Sequence, residues 1–153
     1  MAETILVLGA CGQVGTELVE NLQNIHGEGN VISSDIRKSD HPVFANGIFE
    51  TLDVLDKKKI TEVFAKHKPT VVYHLAALLS ATAEANPKFG WELNMDGTFN
   101  IFDACLEYGV KRIFWPSSIA VFGSTTPRVN TPQSTILEPS TVYGITKLAG
   151  ERY

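Results

Sequence analysis

An α/β fold, a parallel sheet wound with helices on both of its faces, is predicted by three features of this 153-residue chain. Strand-like apolar runs alternate with stretches of helical period. Those runs carry too little polar content for exposed edges, which points to a buried parallel sheet. A glycine loop joins the first run to the first helix.

Each element follows in turn. "TILVLG" (4–9) reads as a buried first strand, and Val14, Leu18, Leu22 and Ile25 recur at helical spacing from Gln13 to His26. "NVISSD" (30–35) is a second strand and "IFETLDV" (48–54) a third, shorter one. Residues 56–68 are expected to form a short helix with Ile60, Val63 and Phe64 inward. "TVVYHLAA" (70–77) is a continuous apolar fourth strand. Asn86 before Pro87 opens a long helix, since Asn caps and proline at the first helical position loses no bond. That helix runs to about Tyr108 and stops at Gly109. It is apolar over much of its girth (Phe89, Trp91, Leu93, Met95, Phe99, Ile101, Phe102 and Leu106), which suggests burial on more than one side. "KRIFWPSS" (111–118) is a fifth strand, followed by a Pro/Thr-rich loop over 124–141 and a final helix from about Thr141. There are no repeats and no second-domain boundary, so residues 1–153 are expected to form one domain.

Composition narrows the function classes. A net charge of −4 gives no reason to expect nucleic acid or an anionic membrane as partner. No apolar run approaches the roughly 20 residues of a membrane span. "MAETILVLGA" has neither the basic start of a secretory signal nor an Arg-rich transit segment. Cys11 and Cys105 do not look like a disulfide framework, which favours a reducing cytoplasm. His26, His41, His67 and His74 share no ligand spacing, so no metal site is expected, and His74 reads as a packed strand residue. Nothing resembles G-x-S-x-G, which leaves acyl transfer unsupported.

"GACGQVG" places Gly9, Gly12 and Gly15 between strand and helix. Glycines here permit a tight turn, close approach of backbone to a pyrophosphate and close helix–sheet packing. The helix N-terminus offers N–H groups and a positive dipole end to phosphates. Three glycines alone also describe a mere turn. Asp35, at the end of strand two and twenty residues past Gly15, sharpens the case, because a carboxylate there accepts both ribose hydroxyls of an adenosine. It also repels a 2′-phosphate, which favours NAD over NADP, although Arg37 nearby argues the other way. The sheet is accordingly expected to be Rossmann-like. Cys11 inside the loop reads as a small side chain tolerated beside the phosphates rather than a reactive thiol.

Tyr143 and Lys147 stand at i, i+4 and share one helical face. An ammonium beside a phenol stabilises the phenolate, so the tyrosine can act as general base on a substrate hydroxyl. Ser118, at the end of strand five, is placed to hydrogen-bond the same hydroxyl. Y-x-x-x-K occurs by chance in many helices; after a G-x-x-G-x-x-G unit and an "SS" strand end it gains weight.

Through "GACGQVG", "HLAA", "PSSIAVFG" and "YGITK" the chain resembles the extended short-chain dehydrogenase/reductase superfamily. Through "HLAALLSATAE", "FWPSSIAVFGSTTP", "NTPQSTILEPSTVYG" and "KLAGER" it is similar to the NAD-dependent L-threonine 3-dehydrogenases within it. The resemblance implies oxidation of the L-threonine β-hydroxyl to 2-amino-3-ketobutyrate. It makes Tyr143 the proton acceptor, Lys147 its electrostatic partner and a ribose ligand, and Ser118 the hydroxyl-orienting residue. Gly9, Gly12, Gln13, Val14 and Gly15 would lie along the pyrophosphate, with Asp35, Ile36 and Arg37 around the ribose. Asp53 and Val54 would flank the adenine, Leu75, Ala76 and Ala77 the nicotinamide half. Asn94 would take a structural and cofactor-side position, and Ser80 would touch the substrate's polar groups. Leu75–Ala77 have ordinary strand packing as their alternative and Asn94 the bridging of backbone groups inside the helix–sheet interface, and Ser117 is expected to satisfy local backbone. The resemblance further implies a homodimer pairing the 87–108 helix with the tyrosine helix.

Enzymes of this superfamily are about twice this length. The sixth strand and the carboxy-terminal substrate lobe are expected to be missing, with the fifth strand left as an edge and the chain alone inactive. A nucleotide-sugar epimerase or dehydratase, or a non-catalytic truncated module that binds NAD, are the alternatives.

Overall fold

A computed structural model describes residues 3–153. Five parallel strands form one sheet: β1 (Ile5–Leu8), β2 (Val31–Asp35), β3 (Ile48–Thr51), β4 (Val71–His74) and β5 (Arg112–Phe114), in the order β3-β2-β1-β4-β5. The helices are α1 (Gln13–His26), α2 (Lys57–His67), α3 (Ser80–Ala85), α4 (Pro87–Trp91), α5 (Gly97–Glu107) and α6 (Val142–Arg152). A π-helical turn, Glu92–Asp96, joins α4 to α5, so the predicted long helix is continuous but locally underwound. The short helix α3 was not anticipated from the sequence. The contacts gather into two compact units. One comprises the residues up to Ala76 with Thr98–Pro116, the other Ala77–Gly97 with Ser117–Tyr153.

The first unit holds the whole sheet. β1 pairs with β2 and β4 on its two sides, with Ile5 opposite both Val31 and Val71. Side chains alternate across a strand. Ile5, Val7, Val31 and Val71 therefore form one layer, which packs with Ala10, Val19, Leu22 and Phe44. Leu6, Leu8, Ile32 and Val72 point to the opposite face and are equally buried. Strand order reverses between β1 and β4, and ligands of open parallel sheets bind at the carboxyl ends of strands where that happens.

The strands are shorter than the apolar runs suggest, each for a local reason. β1 stops at Leu8 because Gly9 turns with φ +77°. β3 stops at Thr51, and Asp53 starts a turn in which its Oδ1 accepts from Leu55 N–H at 2.9 Å. β5 has a neighbour only on the β4 side, as expected of an edge, and all three of its residues are exposed. Pro116, lacking an N–H, follows two residues later.

Spacing alone does not say which helix faces are buried. α1 spans the predicted residues, but its buried positions are Gly15, Val19 and Leu22. Val14 is 68% exposed and Ile25 74% exposed, so the inward face is turned one residue from the Val14–Leu18–Leu22–Ile25 row. The cause is Gly15, whose lack of a side chain lets the helix sit directly on the loop backbone. Along the 87–107 helical stretch Met95 and Ile101 are buried as expected, whereas Phe89, Trp91 and Leu106 are exposed. α2 behaves as predicted, with Ile60, Val63 and Phe64 buried and Asp56 capping Lys59 N–H at 2.9 Å.

β3 is anchored to α2 by Glu50, whose Oε1 lies 2.7 Å from Lys66 Nζ and 2.6 Å from His67 Nε2. Burial works to raise this carboxyl's pKa, but the hydrogen bonds from Lys66 and His67 outweigh it and hold the group below its ordinary 4.5. A depressed carboxyl stabilises the fold above its unfolded pKa and loses that contribution as pH falls through the folded value. Replacing Glu50 by Gln is therefore expected to cost roughly 1.5–3 kcal/mol at pH 7. The gap from the parent should close as the pH drops below about 4.5, which urea unfolding at a series of pH values would measure.

Candidate active site

The glycine loop lies in the first unit. Gly9 N–H and Ala10 N–H both donate to Ser34 O, at 2.9 and 3.0 Å, which folds the loop over the end of β2. A Cβ on Gly9 would stand 2.7 Å from Ala76 N and 2.8 Å from Leu75 C, so only glycine lets this backbone run against the end of β4. A Cβ on Gly15 would collide with Gly9 O and sit 2.8 Å from Ala10 Cα. Gly12 differs. A Cβ there would meet only Gly9 O, at 3.4 Å, and otherwise point into open space. Gly12 is also the N-cap of α1 and supplies no side-chain cap, leaving the helix N-terminus open to an outside acceptor. Gln13 and Val14 are exposed beside it.

Asp35 is fixed from both sides. Its Oδ2 accepts from Cys11 N–H at 2.9 Å and its Oδ1 from Ile36 N–H at 2.8 Å. Each oxygen keeps a second lone pair, and the residue lines a pocket of about 550 Å³ with Cys11, Gly12, Ile36, Arg37, Lys38, Ser39 and Asp40. Burial pushes the Cys11 thiol up, which disfavours the nucleophilic thiolate. Its Sγ contacts Arg37 O at 3.4 Å. An open helix N-terminus, a glycine whose missing Cβ leaves space, and a carboxylate twenty residues on make a donor and acceptor set that fits a dinucleotide. Val54 is buried and its carbonyl accepts from Asn100 Nδ2 at 3.0 Å, a partner that sequence reasoning missed. Asp53 is exposed next to it. Leu75 packs on the core while its N–H continues the ladder to Leu8 O at 2.9 Å, and Ala76 is half-buried. His74 is buried, with Nε2 3.3 Å from Thr98 Oγ1.

The second unit holds Ala77, Ser80, Asn94, Ser118, Tyr143 and Lys147. Tyr143 and Lys147 meet as the i, i+4 spacing requires: Lys147 Nζ lies 5.8 Å from the centre of the Tyr143 ring. Tyr143 is half-buried, while Lys147 is only 4% exposed. Ser118 caps a short 3-10 turn, its Oγ accepting from Ala120 N–H at 3.2 Å. A Cβ on Gly144 would collide with Ala120 O and lie 2.9 Å from Pro139 Cβ. Glycine after the tyrosine thus lets α6 press its backbone onto the segment that follows Ser118. Ser117 is tied differently from expectation. Its hydroxyl donates to Glu151 on α6 rather than to local backbone.

Asn94 is buried in the π-helical turn and fully engaged. Its Oδ1 accepts from Leu78 N–H at 2.7 Å, and its Nδ2 donates to Leu78 O at 3.0 Å and Thr146 Oγ1 at 3.4 Å. Thr146 in turn donates to Tyr143 O at 2.8 Å. The side chain therefore holds the backbone just after Ala77 against α6. Ser80 is the first residue of α3, half-buried. The Pro/Thr loop closes on itself, with Thr125 donating to Glu138 and Gly123 N–H to Thr126 Oγ1 at 3.1 Å.

Burial lowers the Lys147 ammonium from its ordinary 10.5 to about 8. For a base with a depressed folded pKa, the unfolded chain binds more protons between those two values, so stability rises with pH across that window. Shifts of this size correspond to about 3 kcal/mol. Lys147→Met should be more stable than the parent at pH 7, and the difference should shrink between pH 8 and 10.5, as thermal or urea unfolding would show.

Residues 5–153 match the family model described as the NAD dependent epimerase/dehydratase family. An epimerase/dehydratase of Staphylococcus saprophyticus, itself uncharacterized, is 49% identical over 148 residues, which are 96% of this chain and 46% of that protein. The L-threonine dehydrogenase of Clostridium difficile superposes with a TM-score of 0.93 at 45% identity, over 99% of this chain and 47% of that one. The UDP-glucose 4-epimerase of Thermus thermophilus, solved with NAD, superposes with a TM-score of 0.87 at 26% identity, over 97% of this chain and 49% of that one. The chain thus spans about half the length of the relatives it matches. No helix among the described residues is long and apolar enough to cross a membrane. The cofactor expected from Asp35, NAD, is that of the family. From the glycine loop to the tyrosine helix, this chain belongs to the NAD-dependent epimerase/dehydratase family.

Proposed function

We propose that this chain carries the cofactor-binding and proton-transfer parts of an NAD-dependent L-threonine 3-dehydrogenase. The observation that carries the chemistry is the Tyr143 ring with the buried Lys147 Nζ 5.8 Å from its centre. Its direction toward threonine rests on 45% identity to a threonine dehydrogenase against 26% to a sugar epimerase.

In this reading Gly9, Gly12, Gln13, Val14 and Gly15 hold the pyrophosphate through backbone N–H groups. Asp35 holds the adenosine ribose, with Ile36 and Arg37 beside it, and Asp53 and Val54 flank the adenine. Leu75, Ala76 and Ala77 border the nicotinamide half, and Asn94 fixes the backbone that follows them. NAD, when bound, supplies the acceptor for the hydride that leaves the β-carbon of threonine. Ser118 donates to or accepts from the β-hydroxyl and orients it, and Tyr143 takes its proton as the carbon becomes a ketone. The Lys147 ammonium stabilises the phenolate form that Tyr143 needs before it accepts that proton, and reaches the nicotinamide ribose. Ser80 contacts the amino acid's polar groups. The product is 2-amino-3-ketobutyrate. The exposed Phe89, Trp91 and Leu106 support a homodimer built on the 87–108 helix and the tyrosine helix, in a cytoplasmic setting.

The 153-residue chain alone is expected to turn over little, so activity is to be measured on the full product of its gene as well. There, L-threonine should drive NADH formation, and Tyr143→Phe should lower that rate by about 10²–10⁴-fold while NAD still binds. A Tyr143→Phe enzyme at parental rate would sink the mechanism. Conversion of a UDP-hexose, with no response to threonine, would favour the epimerase reading. Calorimetry should find NAD bound more tightly than NADP, with Asp35→Ser narrowing the gap. A parent that prefers NADP would remove Asp35 from its assigned role.

A further inference from the structure

The first turn of α6 sets where Tyr143 stands, and its N–H groups can be accounted for one by one. Ile145 N–H donates to Thr141 O at 2.9 Å, and Gly144 N–H to Thr141 Oγ1 at 3.0 Å, an ordinary N-cap. A helix capped by threonine is commonly completed by a Glu or Gln at its third position, which reaches back to the cap. Here the third position is Gly144, where any Cβ would collide with Ala120 O. The close approach of α6 to the Ser118 segment thus removes the local acid.

A carboxylate from elsewhere serves the first two N–H groups of the helix instead. Glu84, on α3 and 58 residues upstream of Val142, accepts from Val142 N–H at 2.6 Å and Tyr143 N–H at 3.4 Å through the same Oε1. An anion at the positive end of an 11-residue helix is favoured further by the helix dipole. The same α3 opens with Ser80, and Asn94 grips the Leu78 backbone two residues before it. Glu84 is therefore the charged tie between the segment carrying Ser80 and the helix carrying Tyr143 and Lys147.

We propose that Glu84 is a positioning residue, which fixes the start of the tyrosine helix relative to α3 and so holds the Tyr143 phenol in register with the substrate hydroxyl. This rests on Tyr143 being the proton acceptor. It makes no contact with the reacting atoms and acts through the backbone of Val142 and Tyr143. The consequence for rate is geometric: small misplacements of a reacting group cost up to about 10²-fold.

The test has two parts. In the 153-residue chain, Glu84→Ala should speed amide hydrogen exchange at Val142 and Tyr143 by about tenfold, the worth of one charged hydrogen bond. Exchange along Ile5–Leu8 should stay unchanged, and Glu84→Gln, which keeps an acceptor oxygen, should lie close to the parent. Unaltered exchange at Val142 and Tyr143 in Glu84→Ala overturns the proposal. In the full product of the gene, Glu84→Ala should lower kcat about 10–100-fold with KM for NAD near the parent value, and Glu84→Gln should restore most of the rate. Equal losses in kcat, NAD affinity and melting temperature, with no rescue by Gln, would mean a merely structural role and overturn it. Tyr143→Phe run alongside separates the failures. If that enzyme keeps the parental rate, the reaction assignment fails and the positioning role with it. If it is inactive while Glu84→Ala is normal, only Glu84 is misassigned.

Discussion

One constraint shapes the first unit: the backbone at Gly9 must pass within van der Waals distance of the backbone at Leu75 and Ala76. Residue 9 turns with positive φ and carries no side chain, so β1 can end against β4 while its loop swings over Ser34 at the end of β2. The loop's inner positions then have no room for anything but glycine, and the space around Gly12 is what remains open. Asp35 depends on the same geometry, because one of its oxygens is held by the N–H of Cys11 in the middle of that loop. Sheet order, loop path and carboxylate orientation are three outcomes of one close approach.

The second unit follows the same logic. Gly144 admits the carbonyl of Ala120, which brings α6 onto the segment after Ser118. The bonds made by Asn94, Thr146 and Glu84 then consume the polar backbone groups that this packing leaves exposed. Buried polar groups must be paired, and here each pairing also ties a segment that bears a candidate site residue. Lys147 is the costly member, because its burial opposes its own charge.

Relatives of twice the length place these two units in the amino-terminal half of larger proteins. In the proposed reading their features divide into dinucleotide holding and proton transfer.

The periodic and motif-borne parts were legible in the residues themselves: five strands, the α2 face of Ile60, Val63 and Phe64, the cap at Asn86, the helix start near Thr141, and the Tyr143–Lys147 pairing. Such features depend on neighbours within about four residues, so local order displays them. The inward face of α1 was not given by the spacing, because periodicity cannot weigh a glycine, and Gly15 rather than Val14 is buried. The π-helical turn, the particular partners of Asn94, the Ser117–Glu151 bond and the cap from Glu84 were decided only in three dimensions. Their partners lie 16 to 58 residues apart, and no pattern along a chain records which distant carboxylate will meet an unpaired N–H.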